Sequence, residues 1–259
     1  MYQIPWEVRE SCVITNEVAY HLIGKCIRSI KDSIKHEDIE TDTNSTDSGR
    51  EVERLAAEQL QNIREGFVKK GECGNECFEL LRVRGTVQLL PNSIGNIEES
   101  IKRYLCYFLF HYIAEYYGIW VCFHKVSAKN KYGYIPDCEP SGSFLVNIEF
   151  KALVFKPKLN EQLICRICHI SPSHISGITY GLLNITVPTK DLVESDFEFR
   201  RVDSSSCESN SLVNKKNNEQ VLKTGSLIVI KIKKYSFSDN GDFITSITGK
   251  FDSIYECNG

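Results

Sequence analysis

After Pro157 the sequence breaks into short β-rich segments separated by turn residues, and this pattern constrains the fold more than any other feature. Each segment is rich in Ile, Val or aromatic residues and is shorter than a typical globular helix. Five such strands predict a small Greek-key barrel of the OB type. The segments are EQLICRICHI, GITYG, LNITVP, GSLIVIKIKKYSF and FITSITGKFDSIYE.

The part of the chain before the barrel predicts a small α+β domain. The segment FELLRVRGTVQLLP is typical of a strand, a helix is predicted from about Ile97 to Tyr117, and IWVCFHKV and FLVNIEFKALVFKP follow as strands. This order places one helix on a sheet. The predicted helix is about 30 Å long and apolar on nearly all sides after Tyr104, so we expect several neighbours to cover it.

The first part of the chain has the residue pattern of helices instead of strands. Apolar residues recur at helical spacing in NEVAYHLIGKCIRSIKDSIK and in REVERLAAEQLQNIREGFVKKG, and the acidic, Ser- and Thr-rich HEDIETDTNSTDSG lies between them as a linker. A length of 259 residues with 42% hydrophobic content is enough for two modest domains. We therefore predict an α+β protein with a helical extension over 1–77, an α+β domain over 78–157 and an OB-fold barrel over 158–259.

One part of the predicted barrel domain does not look like a strand. Residues 191–220 become rich in Ser and Asn after their first dozen positions. We expect them to form a mobile insertion without a further helix or strand.

The apolar run from Tyr104 to Phe123 is about as long as a membrane span. His111 and Glu115 lie in its middle, and Gly118 interrupts it, so a buried helix followed by a strand is the better interpretation. The start of the chain, MYQIPWEVRESC, lacks a basic region followed by an apolar run, so a secretory route is not indicated. A formal net charge of -3 gives no global attraction for nucleic acid, which must then bind through a local patch.

The motif Cys165-Arg-Ile-Cys168-His169 has the spacing of a covalent haem attachment site. The period of two along a strand sends the two sulfurs to opposite faces, which argues against haem. Cys73 and Cys77 supply a second pair for zinc, but they fall in a different predicted domain. With an odd total of 11 cysteines, buried thiols are the favoured interpretation, and no cofactor or metal is expected.

Catalytic motifs are missing from the sequence. It contains no Gly-rich phosphate loop, no H-E-x-x-H and no G-x-S-x-G. His174 has no nucleophile or orienting carboxylate near it in sequence, so a loop or barrel-edge position is the simpler interpretation. We predict that the chain has no active site of its own.

The segment IVIKIKKYSF is the most informative one for binding. Strand alternation puts Ile228, Ile230 and Ile232 on one face, and Lys231 and Lys233 on the other. Amines beside aromatic rings on an OB barrel suit single-stranded RNA, because amines contact phosphates and rings stack on bases. Lysines that protect a strand edge from aggregation are the alternative explanation. The candidate RNA-binding residues are Lys231, Lys233, Lys234, Tyr235, Phe237, His174 and Tyr180.

The junction FLVNIEFKALVFKPKLNEQLICRICHISPSHISGITYGLLNITVP resembles that of the two-domain stalk proteins of multisubunit RNA polymerases, such as the archaeal E-prime type and the polymerase II type called subunit seven. In that family a tip domain ends in a V-F-x-P strand and leads into an OB barrel, and Val154, Phe155 and Pro157 match this ending. The polymerase I type, called A-forty-three, is the most similar. Its hairpin motif S-x-S-H-I-G is matched by Ser171, Ser173, His174, Ile175 and Gly177, with Ser176 inserted.

The resemblance implies a non-catalytic polymerase subunit of the nucleus and nucleolus that acts in initiation at ribosomal RNA genes. Its implied partners are the core subunits of RNA polymerase I, a small stalk partner subunit, a polymerase I initiation factor and single-stranded RNA, with no membrane. We expect exposed aromatic residues of the tip domain and the junction to contact those partners. The candidate interface residues are Phe150, Phe155, Pro157, Phe108 and Tyr112.

Three alternatives stay open. One is the equivalent stalk subunit of RNA polymerase III or II. Another is a free-standing OB-fold RNA-binding protein, and the third is a thiol-based metal or redox protein.

Overall fold

The computed structural model describes most of the chain and divides it into two compact units. The first unit comprises residues 1–64 and 76–156, and the second comprises 65–75 and 157–259. The boundary near the middle of the chain lies between Lys156 and Pro157. The described residues are 6–40, 48–67, 77–113, 118–129, 133–136, 140–193, 197–202, 209–216, 220–237 and 244–255.

The chain before Pro157 contains five strands and three helices among its described residues. The strands are β1 (Glu7–Ile14), β2 (Phe78–Leu89), β3 (Tyr112–Ile113), β4 (Gly118–Ala128) and β5 (Phe144–Phe155). The helices are α1 (Asn16–Glu40), α2 (Ser48–Gly66) and α3 (Ile97–Cys106), with a 3₁₀ turn over Pro91–Ser93.

These strands form an antiparallel sheet in the order β1-β2-β5-β4-β3. Its apolar core centres on Trp120 and Phe150, whose rings stack with centroids 5.2 Å apart. Trp6 packs edge-on against both rings, and a Cβ atom at Gly85 would lie 2.4 Å from its ring. Burial of large aromatic rings therefore supplies much of the stability of this unit.

The second unit adds eight strands and one short helix among the described residues. They are β6 (Gln162–Ile170), β7 (His174–Thr179), β8 (Leu183–Pro188), α4 (Thr189–Val193), β9 (Phe197–Val202), β10 (Ser209–Asn214), β11 (Val221–Leu222), β12 (Leu227–Phe237) and β13 (Ile244–Ile254).

Five of these strands close into a barrel in the order β12-β13-β8-β7-β6. All neighbours are antiparallel except β8 and β13, which pair in parallel over three residue pairs. Ile228, Ile230 and Ile232 are each 0% exposed, so the predicted inward face of β12 is confirmed. The protein is thus a mixed α+β chain made mostly of strands, with a closed five-stranded barrel that is consistent with an OB-like fold.

The predicted long helix from Ile97 to Tyr117 is wrong, because α3 ends at Cys106. Phe110 adopts a φ of 66°, and its N–H donates to the carbonyl oxygen of Trp120 at 2.6 Å. The chain after α3 pairs with β4 instead of continuing as a helix. Aromatic residues lose side-chain freedom in a helix and gain from cross-strand packing, which favours this outcome.

Two further expectations need correction. The segment before α1 is not helical, since Glu7–Ile14 pairs with β2 as an edge strand of the sheet. The predicted insertion over 191–220 is not without structure, because α4 reaches into it and β9 pairs with β10 in a three-stranded sheet. The segment is rich in Ser and Asn, so its few apolar residues do not form a recognisable strand pattern. Two of them, Phe197 and Leu212, are nevertheless buried, at 3% and 0% exposed.

Within the described residues, no helix has the length and the apolar character that a membrane crossing requires.

Candidate nucleic-acid interface

The outer face of β12 carries the lysines that the sequence predicts as an RNA surface. The Lys231 and Lys233 side chains are both 47% exposed. A bulge between Ile232 and Lys234 shifts the pairing with β13, so Lys233 and Lys234 are both exposed. Lys250 of β13 lies directly opposite Lys231 and adds a fourth exposed amine. We call Lys231, Lys233, Lys234 and Lys250 the lysine face.

Two lysines of this face form ion pairs. The Nζ atom of Lys231 lies 2.7 Å from Oδ1 of Asp252, whose other oxygen accepts a hydrogen bond from Gln162. The Nζ atom of Lys233 lies 2.9 Å from Oδ2 of Asp191 in α4. Each aspartate neutralises much of the field of its lysine, so the face attracts phosphate less strongly than four free amines would.

The sequence predicts that the ring of Tyr235 stacks on RNA bases, and the structure shows that this half-buried residue also has a contact within the unit. Its hydroxyl donates a hydrogen bond of 2.5 Å to the carbonyl oxygen of Pro157. Beside it, the N–H of Asn160 donates to the carbonyl oxygen of Ile232, and the N–H of Ile232 donates to that of Glu161. Tyr235 therefore helps to fix the segment after Pro157 onto β12.

The structure does not bring the other two described ring candidates to one place. His174 and Tyr180 lie at opposite ends of β7. Nδ1 of His174 lies 2.9 Å from Oγ of Ser173 and 3.2 Å from Oγ of Ser171, which organises the turn between β6 and β7. Tyr180 is only 6% exposed, and its ring packs against Phe67 with centroids 4.9 Å apart. The side chain of Phe237 lies outside the described residues.

The expected exposure of two partner-interface residues is wrong. Phe150 is 1% exposed and Phe155 is 0% exposed. Phe150 stacks on Trp120, and Phe155 packs against Phe78 across β2 and β5 with centroids 5.1 Å apart. The unit itself covers both rings, so neither one offers a surface to another protein. Phe108, Tyr112 and Pro157 are half-buried.

The two cysteines of the C-x-x-C-H motif face different environments. Cys165 is buried, and Cys168 is exposed. Burial raises the pKa of the Cys165 thiol to about 12, which keeps it protonated. Cys73, one of the proposed zinc ligands, lies outside the described residues. Among the residues that are described, no group of three or more His, Cys, Asp or Glu is arranged to hold a metal ion.

A second charged cluster, which the sequence pattern does not predict, lies on the sheet of the first unit. Glu149 of β5 is only 9% exposed. It accepts hydrogen bonds from Arg82 at 2.9 Å and from Arg84 at 2.5 Å, and Nζ of Lys129 lies 3.2 Å away. The hydrogen bond from Arg84, then that from Arg82, lowers the pKa of Glu149 to about 2. The signal in the sequence is the alternation of arginine with apolar residues in LLRVRGTV.

The chain is similar to the probable DNA-directed RNA polymerase I subunit RPA43 of Dictyostelium discoideum. The two sequences are 29% identical over 156 residues, which is 60% of this chain and 41% of the relative. The match thus spans less than half of the relative's length. No protein-family profile matches the chain. This modest similarity supports the resemblance to polymerase subunits that the sequence suggested.

Proposed function

We propose that this chain is a non-catalytic stalk subunit of DNA-directed RNA polymerase I that acts in transcription initiation at ribosomal RNA genes. The observation that carries the proposal is the 29% identity to a probable polymerase I subunit over 60% of the chain. Because the match leaves much of the relative uncovered, the partners and the step of transcription are inferred from the resemblance in the sequence.

The architecture supports this proposal. The V-F-x-P ending, represented by Val154, Phe155 and Pro157, lies at the boundary of the two units. The residues that match the polymerase I hairpin also have structural roles, since Ser171 and Ser173 hold His174 in the turn between β6 and β7. These motifs therefore have physical reasons to occur where they do.

The proposed assembly involves protein surfaces. We propose that the core subunits of polymerase I, a small stalk partner and a polymerase I initiation factor bind this chain in the nucleolus. With Phe150 and Phe155 buried in the first unit, the half-buried Phe108 and Tyr112 and the junction residue Pro157 are the remaining interface candidates.

We also propose that the lysine face binds emerging single-stranded RNA without sequence preference. Four exposed amines on neighbouring strands can contact successive phosphates. Two of them are paired to aspartates, so we expect weak binding that depends strongly on salt. Among the described ring candidates, Tyr235 and Tyr180 have contacts within the unit, so we expect phosphate contacts to contribute most of the affinity.

The decisive experiment is purification of the tagged chain from its own cells, followed by identification of the proteins that accompany it. We expect the largest subunit of polymerase I to remain bound after nuclease treatment and a wash at moderate salt. The largest subunit of polymerase III or II in its place would assign the chain to that enzyme. Retention of the polymerase only before nuclease treatment would show that RNA bridges the two.

A free-standing RNA-binding protein is the second candidate, and the closed barrel with its lysine face favours it. It predicts a stable monomer at 29.6 kDa that binds RNA and co-purifies with no polymerase subunit. Size-exclusion chromatography of the purified chain, alone and mixed with nuclease-treated polymerase, separates the two candidates.

A further inference from the structure

Four basic side chains share one face of the sheet in the first unit, and we call them the arginine face: Arg82, Arg84, Lys129 and Lys151. Arg84 lies directly opposite Glu149 across β2 and β5, and Arg82 lies directly opposite Lys151. Residues that face each other in an antiparallel pair project from the same side of the sheet. Arg82, Arg84 and Lys129 all reach the carboxylate of Glu149, and Lys151 adjoins them through its position opposite Arg82.

Glu149, which is more buried than the cations, holds the side chains of Arg82, Arg84 and Lys129 in place. It is only 9% exposed, whereas the Arg82, Arg84 and Lys129 side chains are 36%, 43% and 41% exposed. A buried carboxylate that holds the Nε atoms of two arginines fixes their side chains before any ligand arrives. Preorganised cations lose less side-chain entropy on binding than free surface lysines do.

The arginine face has more positive than negative charge. Its described acidic neighbours are Glu149, Glu10, which lies 3.2 Å from Arg82, and Glu7, which lies directly opposite Arg84 across β1 and β2. Lys151 has no acidic partner within ion-pair distance among the described residues. Since the whole chain has a formal net charge of -3, this local excess of positive charge is not a property of the average surface.

We propose that the arginine face is a second nucleic-acid site, which contacts phosphate groups without reading sequence. Arg82 and Arg84 are two residues apart on one strand, about 6.6 Å along its axis, so they can reach successive phosphates. Thr86 and Asn147, opposite each other on the same face, add the neutral polar groups that commonly contact phosphate and sugar. The proposal does not depend on polymerase membership or on the lysine face.

The chemistry of the face favours nucleic acid over an acidic protein segment. Stable protein interfaces are centred on buried aromatic or aliphatic anchors. Thr86 and Asn147 lie on one side of these cations, and the carboxylates that pair with them are Glu149 and Glu10. On the other side, Leu80 is half-buried and Leu153 is buried, so neither is an exposed apolar anchor. A face of this kind gains its affinity from counterion release, which is typical of phosphate binding.

The experiment measures binding of the full chain to a fluorescent single-stranded RNA and to a DNA duplex of mixed sequence by anisotropy, over a range of salt concentrations. The first variant is Lys129→Gln with Lys151→Gln, which leaves both arginines on Glu149. The second is Arg82→Gln and Arg84→Gln with Glu149→Gln, so that no buried carboxylate is left without a partner. We expect each to lower the salt slope by roughly 1.4 to 1.8 and the affinity at low salt by on the order of tenfold.

A matched control removes two charges elsewhere, at the exposed Lys31 and Lys190. Lys31→Gln with Lys190→Gln should leave the salt slope within error of the unmodified chain, and thermal unfolding should show that every variant is folded. A further variant replaces Lys231 and Lys234 of the lysine face by Gln. If the salt slope falls in this variant but in neither arginine-face variant, the proposal is overturned and all binding is assigned to the lysine face. It is equally overturned if the unmodified chain binds an acidic peptide but neither nucleic acid.

Discussion

Single residues set narrow limits on the barrel, and Gly177 is the clearest case. A Cβ atom at this position would lie 2.3 Å from Sγ of Cys165 and 2.6 Å from the carbonyl oxygen of Arg166 on the adjacent strand β6. The two strands approach so closely that no side chain fits between them. The glycine is therefore required by packing rather than by a turn.

We expect Gly177→Ala to lower the free energy of unfolding by about 1 to 3 kcal/mol, because the strands must move apart to admit the methyl group. Urea denaturation of the purified chain measures this change. Ser176→Ala, one residue earlier in β7, is the matched control and should change stability by less than about 0.5 kcal/mol. Equal stabilities of the two variants would mean that β6 and β7 separate without cost.

Glu149 makes stability depend on pH. Its pKa is lowered from an ordinary value of 4.5 to about 2 by hydrogen bonds from Arg84 and Arg82. A lowered pKa means that the folded state favours the ionised carboxylate, so its contribution is fully present above pH 4.5. That contribution is lost as the pH falls from about 4.5 towards 2.

We therefore expect the unmodified chain to lose more stability than Glu149→Gln over this pH window. The measurement is the free energy of unfolding of both proteins at several pH values from 6 down to the lowest at which they fold, with the Glu10→Gln variant as an exposed-carboxylate control. Parallel pH profiles for the unmodified chain and Glu149→Gln would show that protonation of Glu149 does not cause the loss of stability.

At the scale of elements, the alternation of apolar and polar residues correctly predicts which side chains of a strand point inward, provided that one face is buried and the other is exposed. Alternation in IVIKIKKYSF identifies the inward Ile228, Ile230 and Ile232 because each contributes a full side chain to the core. The same argument fails for β1, whose residues are nearly all exposed, so it has no apolar face that the sequence could reveal.

The apolar run after Tyr104 predicts a helix that continues to Tyr117, whereas α3 ends at Cys106. Residues after Cys106 are aromatic and β-branched, and their backbone pairs with β4. Nor does the sequence reveal that Trp6 covers Phe150 from outside the predicted α+β domain. Contacts between residues so distant along the chain are invisible to local patterns, and so the exposure of Phe150 was predicted wrongly.

The charge balance on β12 gives a prediction for the lysine face. Replacing Lys231, Lys233 and Lys234 by Glu should weaken single-stranded RNA binding and flatten its salt dependence, because phosphate contacts become repulsive. Asp191→Asn should act in the opposite direction by freeing Lys233 from its ion pair. Anisotropy titrations at several salt concentrations compare these variants, and unchanged binding in both would remove β12 from the interface.

At the scale of the whole molecule, the chain divides into two compact units, and each buries apolar residues of its own. Both tryptophans of the chain, Trp6 and Trp120, belong to the first unit. Tryptophan fluorescence therefore reports on that unit, whereas circular dichroism reports on the strands of both. This arrangement allows the two cores to be examined separately in one protein.

We expect Phe150→Ala, which removes a ring that is 1% exposed, to destabilise the first unit by about 3 to 5 kcal/mol. The midpoint of the fluorescence transition in urea should fall accordingly. Ile232→Ala, in the barrel core, should shift the dichroism transition and leave the fluorescence midpoint in place. A common shift of both signals in both variants would show that the units unfold as one.

The parallel pairing of β8 with β13 has a consequence for the order of assembly during synthesis. Asn184, Ile185 and Thr186 find their partners at Ser246, Ile247 and Thr248, about sixty residues later. The sheet around Phe150 is complete by Phe155, so a ribosome that has released this part can carry a finished first unit. The barrel cannot close until β13, its last strand, has left the ribosome. Until then the edge of β8 that pairs with β13 is unpaired and can pair incorrectly with other chains.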